Sequence, residues 1–466
     1  MKKPLSNAMK WLMGIGSMLF IMSGTFHGYY LSYILTDVMR IPLENTAIIT
    51  SVSSIGTLIL ATFTGFVLQM VKPGKMGRYR KACLILIILN FALIWTGYTK
   101  FTDNIALLTI ILTITLSFTK WLNNVNTNAR NMLVTEVAPD KDSRAMLLGH
   151  ETIYRGLGQV LYSLVGVSLL AFIQTQVSEA ASFPIVFEIF AGVAVLGYLF
   201  ELRITKGYDS TADAPEAEVK VDAPKKKKPP FWATVKAAFS SLPLASISLA
   251  YMCSRVTSLM GSGLMVYYYR YVAEDTTLQT VAVTANSVLA MCNGIIGPFL
   301  VKRFGNKGTF MLCNALSLVG LAIVFLFGLN SAAAFSLGAV IVVTSLALSQ
   351  IPLVSMFSDC AIYSEYRTGL ENRAITMNMF SVFGTIGGFV RNWIQPLALA
   401  MSGYVAGEVA SLEVKRGLIG AYVNFPAIAS VLTLVLVAVG YRLKDSDVAK
   451  MEAEIAARHT GGEQNG

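Results

Sequence analysis

Charged residues are scarce in this chain. Asp, Glu, Lys and Arg make up 14% of its 466 residues, whereas soluble globular proteins contain about a quarter. Hydrophobic residues reach 54%, and the mean hydropathy is +0.59. This composition excludes a soluble globular protein and predicts an integral membrane protein. Its spans are expected to be helices, because only helices and closed barrels satisfy every backbone hydrogen bond in lipid.

The chain also lacks the patterns of catalytic and metal sites. It has no Walker-type phosphate loop and no His-Glu-x-x-His segment. No charged re-entrant segment of the kind that forms a channel filter lies between its apolar runs. Its five cysteines lack metal-ligand spacing and are expected to be free thiols in or beside the membrane. We therefore expect no enzymatic activity, no cofactor and no metal site.

Apolar runs of about 20 residues, long enough to cross a hydrocarbon core, recur along the chain. The sequence predicts an all-α membrane protein with twelve transmembrane helices in two six-helix bundles. The first six predicted spans are Trp11–Leu35, Pro42–Met70, Ala82–Thr99, Ile105–Leu133, Ala145–Ile173 and Phe183–Leu202. The second six are Val235–Val272, Gln279–Val301, Thr309–Leu329, Ala334–Ile362, Ala374–Met401 and Gly417–Tyr441.

A polar segment, Asp209–Lys228, separates the two sets of spans. It is rich in Ala, Pro and acids and ends in four consecutive lysines. Such a segment buries too little apolar surface to fold alone and is typical of a solvated linker. The predicted organisation is an N-terminal bundle (1–204), a cytoplasmic linker (205–234), a C-terminal bundle (235–442) and a cytoplasmic tail (443–466).

Lys and Arg concentrate beside one set of loops. Examples are Lys72, Arg78, Arg80 and Lys225–Lys228. By the positive-inside rule, both termini and the linker are expected in the cytoplasm, and the chain in the cytoplasmic (inner) membrane. The net charge of +10 follows from this asymmetry and from attraction to anionic lipid. We expect no nucleic-acid partner and a monomer.

The predicted span Ile105–Leu133 carries many polar side chains in its second half. Lys120, Asn124, Thr127 or Asn128, and Asn131 repeat at three- and four-residue spacing and therefore share one helix face. Amides and a cation are costly against lipid, so this face is expected to border protein or water. Two polar-lined bundles joined by a linker are typical of a transporter whose halves rock about a midplane site.

Neighbouring spans supply further candidates. Glu151 and Arg155 lie one turn apart and could neutralise each other, with a structural ion pair joining helices as the alternative. His27 can change charge near neutral pH, with a hydrogen-bonded packing role as the alternative. Aromatic residues could stack on a sugar face. The candidate substrate-binding residues are His27, Tyr30, Lys120, Trp121, Asn124, Asn128, Glu151, Tyr154, Arg155 and Asn378. The candidate coupling residues are His27 and Glu151.

The loop after Ala334–Ile362 follows a known pattern. Asp359, Tyr363, Glu365 and Arg367 fit the order D-x-x-x-Y-x-E-[WYF]-[KR]-T-G. This resembles the signature of the glycoside-pentoside-hexuronide:cation symporter family, the melibiose-carrier branch of the major facilitator superfamily. Matching stretches elsewhere in the chain are Tyr33–Val38, Gly65 through Arg80, and Thr135 to Arg144. The resemblance implies two pseudo-symmetric six-helix bundles and cation-driven transport of a sugar or glycoside.

The acids of the family's cation site are missing from the matching positions. Thr57 and Ala61 stand where the resemblance places two aspartates, and Asn124 stands at the acid that contacts sugar and cation. Three further functional positions of the family fall on or near Thr152, Ile362 and Phe383. A dehydrated cation needs carboxylates or several well-placed oxygens. Proton coupling through His27 or Glu151, and uncoupled facilitation, are therefore alternatives to sodium coupling.

Bases outnumber acids on the predicted polar faces. Unpaired Lys120 and Arg155 would favour an anionic ligand group, because guanidinium binds a carboxylate or sulfonate in two-pronged fashion. The sequence thus predicts an acidic sugar or its glycoside, such as a uronide. The alternative is that both bases pair with Glu151, Glu188 or Asp359 and serve packing or gating.

A charged gate is expected at the cytoplasmic ends of the spans. The predicted gating residues are Arg78, Arg80, Asp359, Glu365 and Arg367. Charge pairs among them could hold the two halves in the outward-open state. Three other functions remain open on the same fold: an uncoupled facilitator or exporter of an organic anion, a lipid or lysolipid transporter, and a non-transporting sensor.

Overall fold

The computed structural model describes residues 7–61, 63–72, 75–138, 141–208, 241–368, 373–444, 447–448 and 450–455. All regular structure in these residues is helical, which confirms the predicted fold class. The predicted linker from residue 209 onward and the end of the predicted tail lie outside the described residues. The side chain of Asn378, a candidate binding residue, lies outside them as well.

The chain divides into two compact units. The N-terminal unit contains residues 1–223 with the short segments 279–288 and 405–408. Its helices are α1 (Asn7–Leu12), α2 (Ile15–Tyr33), α3 (Leu43–Ala61), α4 (Thr64–Met70), α5 (Arg78–Tyr98), α6 (Ile105–Val137), α7 (Lys141–Gln174) and α8 (Glu179–Ile204). The prediction of one continuous helix from Pro42 to Met70 is wrong, since α3 ends at Ala61 and α4 begins at Thr64.

The C-terminal unit contains the remaining helices, apart from residues 279–288 of the second one, which belong to the N-terminal unit. These helices are α9 (Leu242–Tyr267), α10 (Thr276–Phe327), α11 (Ala332–Thr368), α12 (Arg373–Met401) and α13 (Leu412–Gly440). Helix α10 covers two predicted spans and bends sharply at Gly305, where φ is 70° and ψ is 173°. This backbone conformation is essentially restricted to glycine. The chain therefore turns within the predicted loop between the two spans.

Eight described segments are long and apolar enough to cross a membrane. Among the remaining predicted spans, those around α2, α9 and α12 carry more glycine, hydroxyl and amide residues, which lowers their hydropathy. The chain is a multi-pass membrane protein. The total of twelve spans stays a prediction.

Helices α2 and α9 end in the same way. Each runs into a single π-helical turn, Ile34–Val38 in one unit and Tyr268–Val272 in the other. In each, the chain then passes through a non-glycine residue with positive φ, Arg40 at 56° and Glu274 at 53°. This conformation is uncommon for residues with a side chain. Its occurrence at corresponding places in both units indicates an internal repeat.

Helix α2 packs closely against α7 and α8. Glycines make this approach possible. A β-carbon on Gly158 of α7 would overlap the backbone carbonyl oxygen of Met18, and one on Gly16 would overlap the carboxylate of Glu201 on α8. Gly197 of α8 lies so close to α2 that a β-carbon there would be 3.0 Å from Leu19 Cδ1. Helix α2 therefore approaches both α7 and α8 to within backbone contact at these glycines.

Replacement of Gly158 by alanine tests this close packing. Gly158→Ala is expected to destabilise the protein by about 1–3 kcal/mol, the usual range for overpacking, because the Met18 carbonyl oxygen belongs to backbone that cannot move aside cheaply. The measurement is the apparent melting temperature in detergent, which should fall by several degrees. Gly24→Ala on α2 is the matched control, since no described atom lies within 4 Å of its added β-carbon. Equal melting temperatures for the two variants would contradict the packing described here.

Candidate functional site

A buried arginine connects the helices of the N-terminal unit. Arg130 on α6 is 5% exposed, and its Nε donates to both carboxylate oxygens of Glu201 on α8, at 3.0 and 3.2 Å. Its Nη1 forms an ion pair with Glu151 Oε1 on α7 at 2.6 Å. Its Nη2 donates to the carbonyl oxygen of Met13 at 3.2 Å. One guanidinium therefore joins α6, α7, α8 and the segment before α2. We call Arg130, Glu151 and Glu201 the buried charge cluster.

Glu151 has closer partners than the arginine one turn away. The Ser17 hydroxyl on α2 donates to its Oε1 at 3.0 Å, while Arg155 Nη1 lies 3.8 Å from the same oxygen. The Arg155 side chain is 49% exposed, compared with 13% for Glu151. Glu151 thus stands between the buried Arg130 and the exposed Arg155.

The sequence prediction did not place Arg130 or Glu201 among the candidate site residues. Arg130 lies on a different face of α6 from Lys120, Asn124 and Asn131, so the repeat that marked the polar face did not include it. A usable signal was present, because an arginine and two acids within apolar spans must find partners. Which helix supplies each partner depends on tertiary packing.

Four polar residues stand in a row along α6. This α6 polar row consists of Lys120, Asn124, Asn128 and Asn131. Lys120 Nζ donates to Ser53 Oγ on α3 at 2.9 Å, and Asn128 Nδ2 donates to Asn124 Oδ1 at 2.8 Å. Asn124 and Asn131 are exposed and Asn128 is partly exposed. The predicted polar face therefore presents amide groups at the surface of the unit.

His27 and Tyr30 lie inside the packing of the unit. His27 Nδ1 is hydrogen-bonded to the hydroxyl of Tyr98 on α5, and its ring also packs against Phe187 of α8 at 6.5 Å between centroids. Tyr30 is 4% exposed and packs against Phe183 at 5.6 Å. Both positions agree with packing roles in this structure. Their predicted roles in binding and coupling stay predictions.

The other aromatic candidates lie against neighbouring side chains or backbone. Trp121 packs edge-on against Phe118 of the same helix, with centroids 6.0 Å apart. The Tyr154 ring of α7 lies directly over Gly14, where a β-carbon would overlap it. Both residues are partly exposed, so each retains some accessible ring surface.

Two of the positions that match the family's cation site, Thr57 and Asn124, hold neutral oxygens. The Thr57 hydroxyl donates to the carbonyl oxygens of Ser53 at 2.7 Å and Ser117 at 3.4 Å. Within the described ranges, no three His, Cys, Asp or Glu side chains stand close enough together to hold a metal ion. This donor set differs from the carboxylate-rich set that the family resemblance implies.

Two predicted gating residues have partners in their own units. Arg80 Nε donates to the Leu202 carbonyl oxygen near the end of α8, at 3.2 Å. Asp359 accepts a hydrogen bond from the Tyr441 hydroxyl at 3.0 Å. Arg78 and Glu365 are partly exposed and Arg367 is exposed. A gate formed by these five residues stays a prediction.

Comparison with known proteins identifies relatives of the chain. The family described as MFS/sugar transport protein matches residues 12–445. The glucuronide carrier protein homolog of Escherichia coli is 26% identical over 217 residues, which are 46% of this chain and 47% of that protein. A putative sulfoquinovose importer of Escherichia coli is 21% identical over 446 residues, 95% of this chain and 92% of that one. The match thus spans about half the length of the first relative and nearly all of the second.

Solved structures share the fold. A bacterial homolog of the human lysosomal transporter Spinster, in an inward-facing and unoccupied conformation, gives a TM-score of 0.67 at 13% identity. The similarity covers 96% of this chain and 100% of that one. At this identity the likeness shows the architecture, and the residues that determine substrate must be argued from this chain.

Loss of the central guanidinium is expected to be strongly destabilising. Arg130→Met leaves Glu201 and Glu151 without their shared partner, and breaking a buried ion pair in this way costs about 3–5 kcal/mol. The apparent melting temperature in detergent measures the effect. Adding Glu201→Gln should restore part of the loss, because one carboxylate fewer is then unpaired.

Arg155→Met is the matched control for this experiment. Its side chain is 49% exposed and 3.8 Å from Glu151, and a pair of this kind contributes about 1 kcal/mol or less. Equal apparent melting temperatures for Arg130→Met and Arg155→Met would show that the buried charge cluster does not hold the unit together.

Proposed function

Because the chain belongs to the MFS/sugar transport protein family, we propose that it moves a sugar, a glycoside or a uronide across the cytoplasmic membrane by alternating access, in symport with protons. The observation that carries this proposal is the α6 polar row. Exposed amides on a helix long enough to cross the membrane are costly unless they meet water, protein or a polar ligand. A sugar, with many hydroxyls, is such a ligand.

The most exposed candidate residues suit a sugar. The amides of Asn124 and Asn128 offer both donors and acceptors, as hydroxyl groups require. Arg155 adds guanidinium donors for the hydroxyl groups of the sugar. We assign direct substrate contact first to Asn124 and Arg155. One relative is named for a glucuronide and another for sulfoquinovose. Both names support an acidic substrate, because a glucuronide carries a carboxylate and sulfoquinovose carries a sulfonate.

We assign proton coupling to Glu151. It is the acid of the buried charge cluster that lies between the buried Arg130 and the exposed Arg155. The groups facing it are Arg130 from α6, Arg155 from α7, Ser17 from α2 and, across Arg130, Glu201 from α8. Protonation would remove the charge that holds Arg155 near it and would leave Arg130 paired with Glu201. Coupling at His27 is the alternative, with its hydrogen bond to Tyr98 as the group that would respond.

The placement of the chain in the membrane is part of the same proposal. The distribution of Lys and Arg puts both termini and the linker in the cytoplasm. Residues Arg78, Arg80, Asp359, Glu365 and Arg367 would then lie at the cytoplasmic ends of their helices and could act as the gate.

Uptake into proteoliposomes tests the transport function. Purified protein is supplied with radiolabelled neutral and acidic sugars under an inward proton gradient, an inward sodium gradient or neither. We expect accumulation of sugar above equilibrium under the proton gradient alone. Movement of lysolipid without movement of any sugar would contradict the proposal and favour the lipid transporter.

Replacement of Asn124 tests the polar row. Asn124→Ala is expected to raise the KM for the transported sugar about tenfold, because a hydrogen bond lost at a binding site leaves its partner unsatisfied, at a cost of about 1–3 kcal/mol. Met132→Leu is the matched control, since Met132 is an exposed apolar residue of the same helix, and its KM should equal that of the wild type. An unchanged KM in Asn124→Ala would remove the row from the binding site.

Glu151→Gln separates transport from coupling. Glutamine keeps the shape of the side chain but cannot release a proton, so accumulation driven by the proton gradient should be lost. Exchange of internal for external sugar should continue, because exchange needs no net proton movement. His27→Gln is expected to retain accumulation. The opposite pattern, with accumulation lost in His27→Gln and kept in Glu151→Gln, would reassign coupling to the histidine.

A further inference from the structure

Helix α12 carries an arginine that meets no acid in the described part of the chain. Arg391 lies within the predicted span Ala374–Met401, and its Nη1 donates to Asn392 Oδ1 at 3.3 Å. Its Nε is closed off from solvent and has no hydrogen-bond partner among the described residues. The ion pairs found in those residues involve other bases. An uncompensated cation at membrane depth is costly and marks a functional site.

Gln395 stands one turn further along the same face of α12. It is 1% exposed, and neither its Oε1 nor its Nε2 has a hydrogen-bond partner in the described residues. Leaving a buried polar group unsatisfied costs about 1–3 kcal/mol, and a packing role would be served better by an apolar side chain. Two adjacent side chains with unsatisfied donors and acceptors therefore indicate a ligand that supplies the missing partners.

The two side chains meet over Gly263 of α9. A β-carbon on Gly263 would overlap Arg391 Nη2 and would lie 2.6 Å from Gln395 Oε1. Both groups thus pack against the same side of Gly263, where only a glycine gives them room. The residue Arg391 as a whole keeps partial exposure, so part of its side chain is open to the surface of the unit.

The free atoms define the kind of ligand. A guanidinium binds a planar oxyanion through two parallel hydrogen bonds, and among the described residues only Nη1 of Arg391 has an acceptor, Asn392 Oδ1. The amide of Gln395 can donate to a third oxygen and accept from a hydroxyl. This donor set fits an acidic group with a hydroxyl beside it. A metal cation is unsuited to it, because the guanidinium repels a cation.

We propose that Arg391 and Gln395 bind the carboxylate or sulfonate of an acidic sugar in the C-terminal unit. The inference rests on the proposed transport function and names its substrate class. Among the bases considered, Arg391 is better suited than Lys120, which donates to Ser53, or Arg155, which lies 3.8 Å from Glu151. Selection of acidic over neutral sugars is therefore assigned to α12.

Binding to the purified full chain in detergent tests the site without requiring transport. The probes are two matched pairs, methyl glucuronide with methyl glucoside and galacturonate with galactose, and acetate serves as a free carboxylate. Affinity is measured by calorimetry and by the rise in melting temperature that a ligand of the native state produces. The wild type is expected to bind at least one acid about tenfold or more tightly than its neutral partner, about 1.4 kcal/mol, and to bind acetate weakly.

Arg391→Gln should abolish this preference, because it should weaken binding of the acid much more than binding of its neutral partner. Arg391→Lys should retain only part of the wild-type preference for the acid, because an ammonium carries the positive charge but lacks the two parallel donors of a guanidinium. Equal affinity of the wild type for acid and neutral partner in both pairs would overturn the inference. Acetate that binds as tightly as the sugar acid would also overturn it, since the site would then select a free anion.

Gly263→Ala provides a second test that leaves both Arg391 and Gln395 in the sequence. Its methyl group would overlap both side chains and displace them, so Gly263→Ala is expected to abolish the preference as well. Gly261→Ala on the same helix is the matched control, because the nearest described atom would lie 3.6 Å from its β-carbon. Should Arg391→Gln fail to fold, this pair of variants decides the question alone.

The experiments distinguish failure of the proposed binding site from failure of the proposed transport function. Sugar uptake that persists while neither Arg391→Gln nor Gly263→Ala changes the preference overturns the binding site and leaves the transport function intact. An acid preference that both variants abolish, in a protein that accumulates no sugar in proteoliposomes, supports the binding site and overturns transport.

Discussion

A charge inside hydrocarbon must be met by another group, because neither lipid nor bulk water is there to solvate it. The buried charge cluster meets this constraint within the protein. Arg130 receives a carboxylate from α8 and another from α7, and its remaining contact is a backbone carbonyl. The glycine at position 16 leaves room for Glu201 against α2. Helix packing and charge pairing in the N-terminal unit therefore depend on each other.

The same constraint separates two arginines that look alike in the sequence. Arg130 has acidic partners and is 5% exposed, so its charge is accounted for by the fold. Arg391 has a neighbouring amide as its only hydrogen-bond acceptor in the described residues, and the adjacent Gln395 is unsatisfied. Removing one member of a buried ion pair leaves the other charge uncompensated and destabilises the unit, whereas a base in a membrane span that meets no acid indicates a functional site. Pairing in three dimensions thus distinguishes a structural residue from a binding residue.

The sequence could predict what depends on local spacing. Apolar runs located the spans, and the three- and four-residue repeat of Lys120, Asn124, Asn128 and Asn131 marked one helix face. Partners that depend on packing could not be predicted in this way. Glu201 lies 71 residues from Arg130, and Tyr98 lies 71 residues from His27. Periodicity orients each helix towards a core, but it does not say which residue of a distant helix stands opposite.

The two units repeat a backbone and differ in their polar side chains. Gly77 before α5 has φ 78° and ψ −179°, and Gly305 within α10 has φ 70° and ψ 173°, so the same glycine conformation turns the chain in both units. The π-helical turns after α2 and α9 repeat as well. The polar side chains do not repeat in this way, since Arg130 is paired with two acids and Arg391 meets no acid in the described residues. On the proposals above, the N-terminal unit carries the coupling acid and the C-terminal unit the base that selects acidic sugars. Two units with the same backbone can carry different functional residues. The repeated backbone conformations depend on a few glycines and turns, so the polar positions are free to differ between the units.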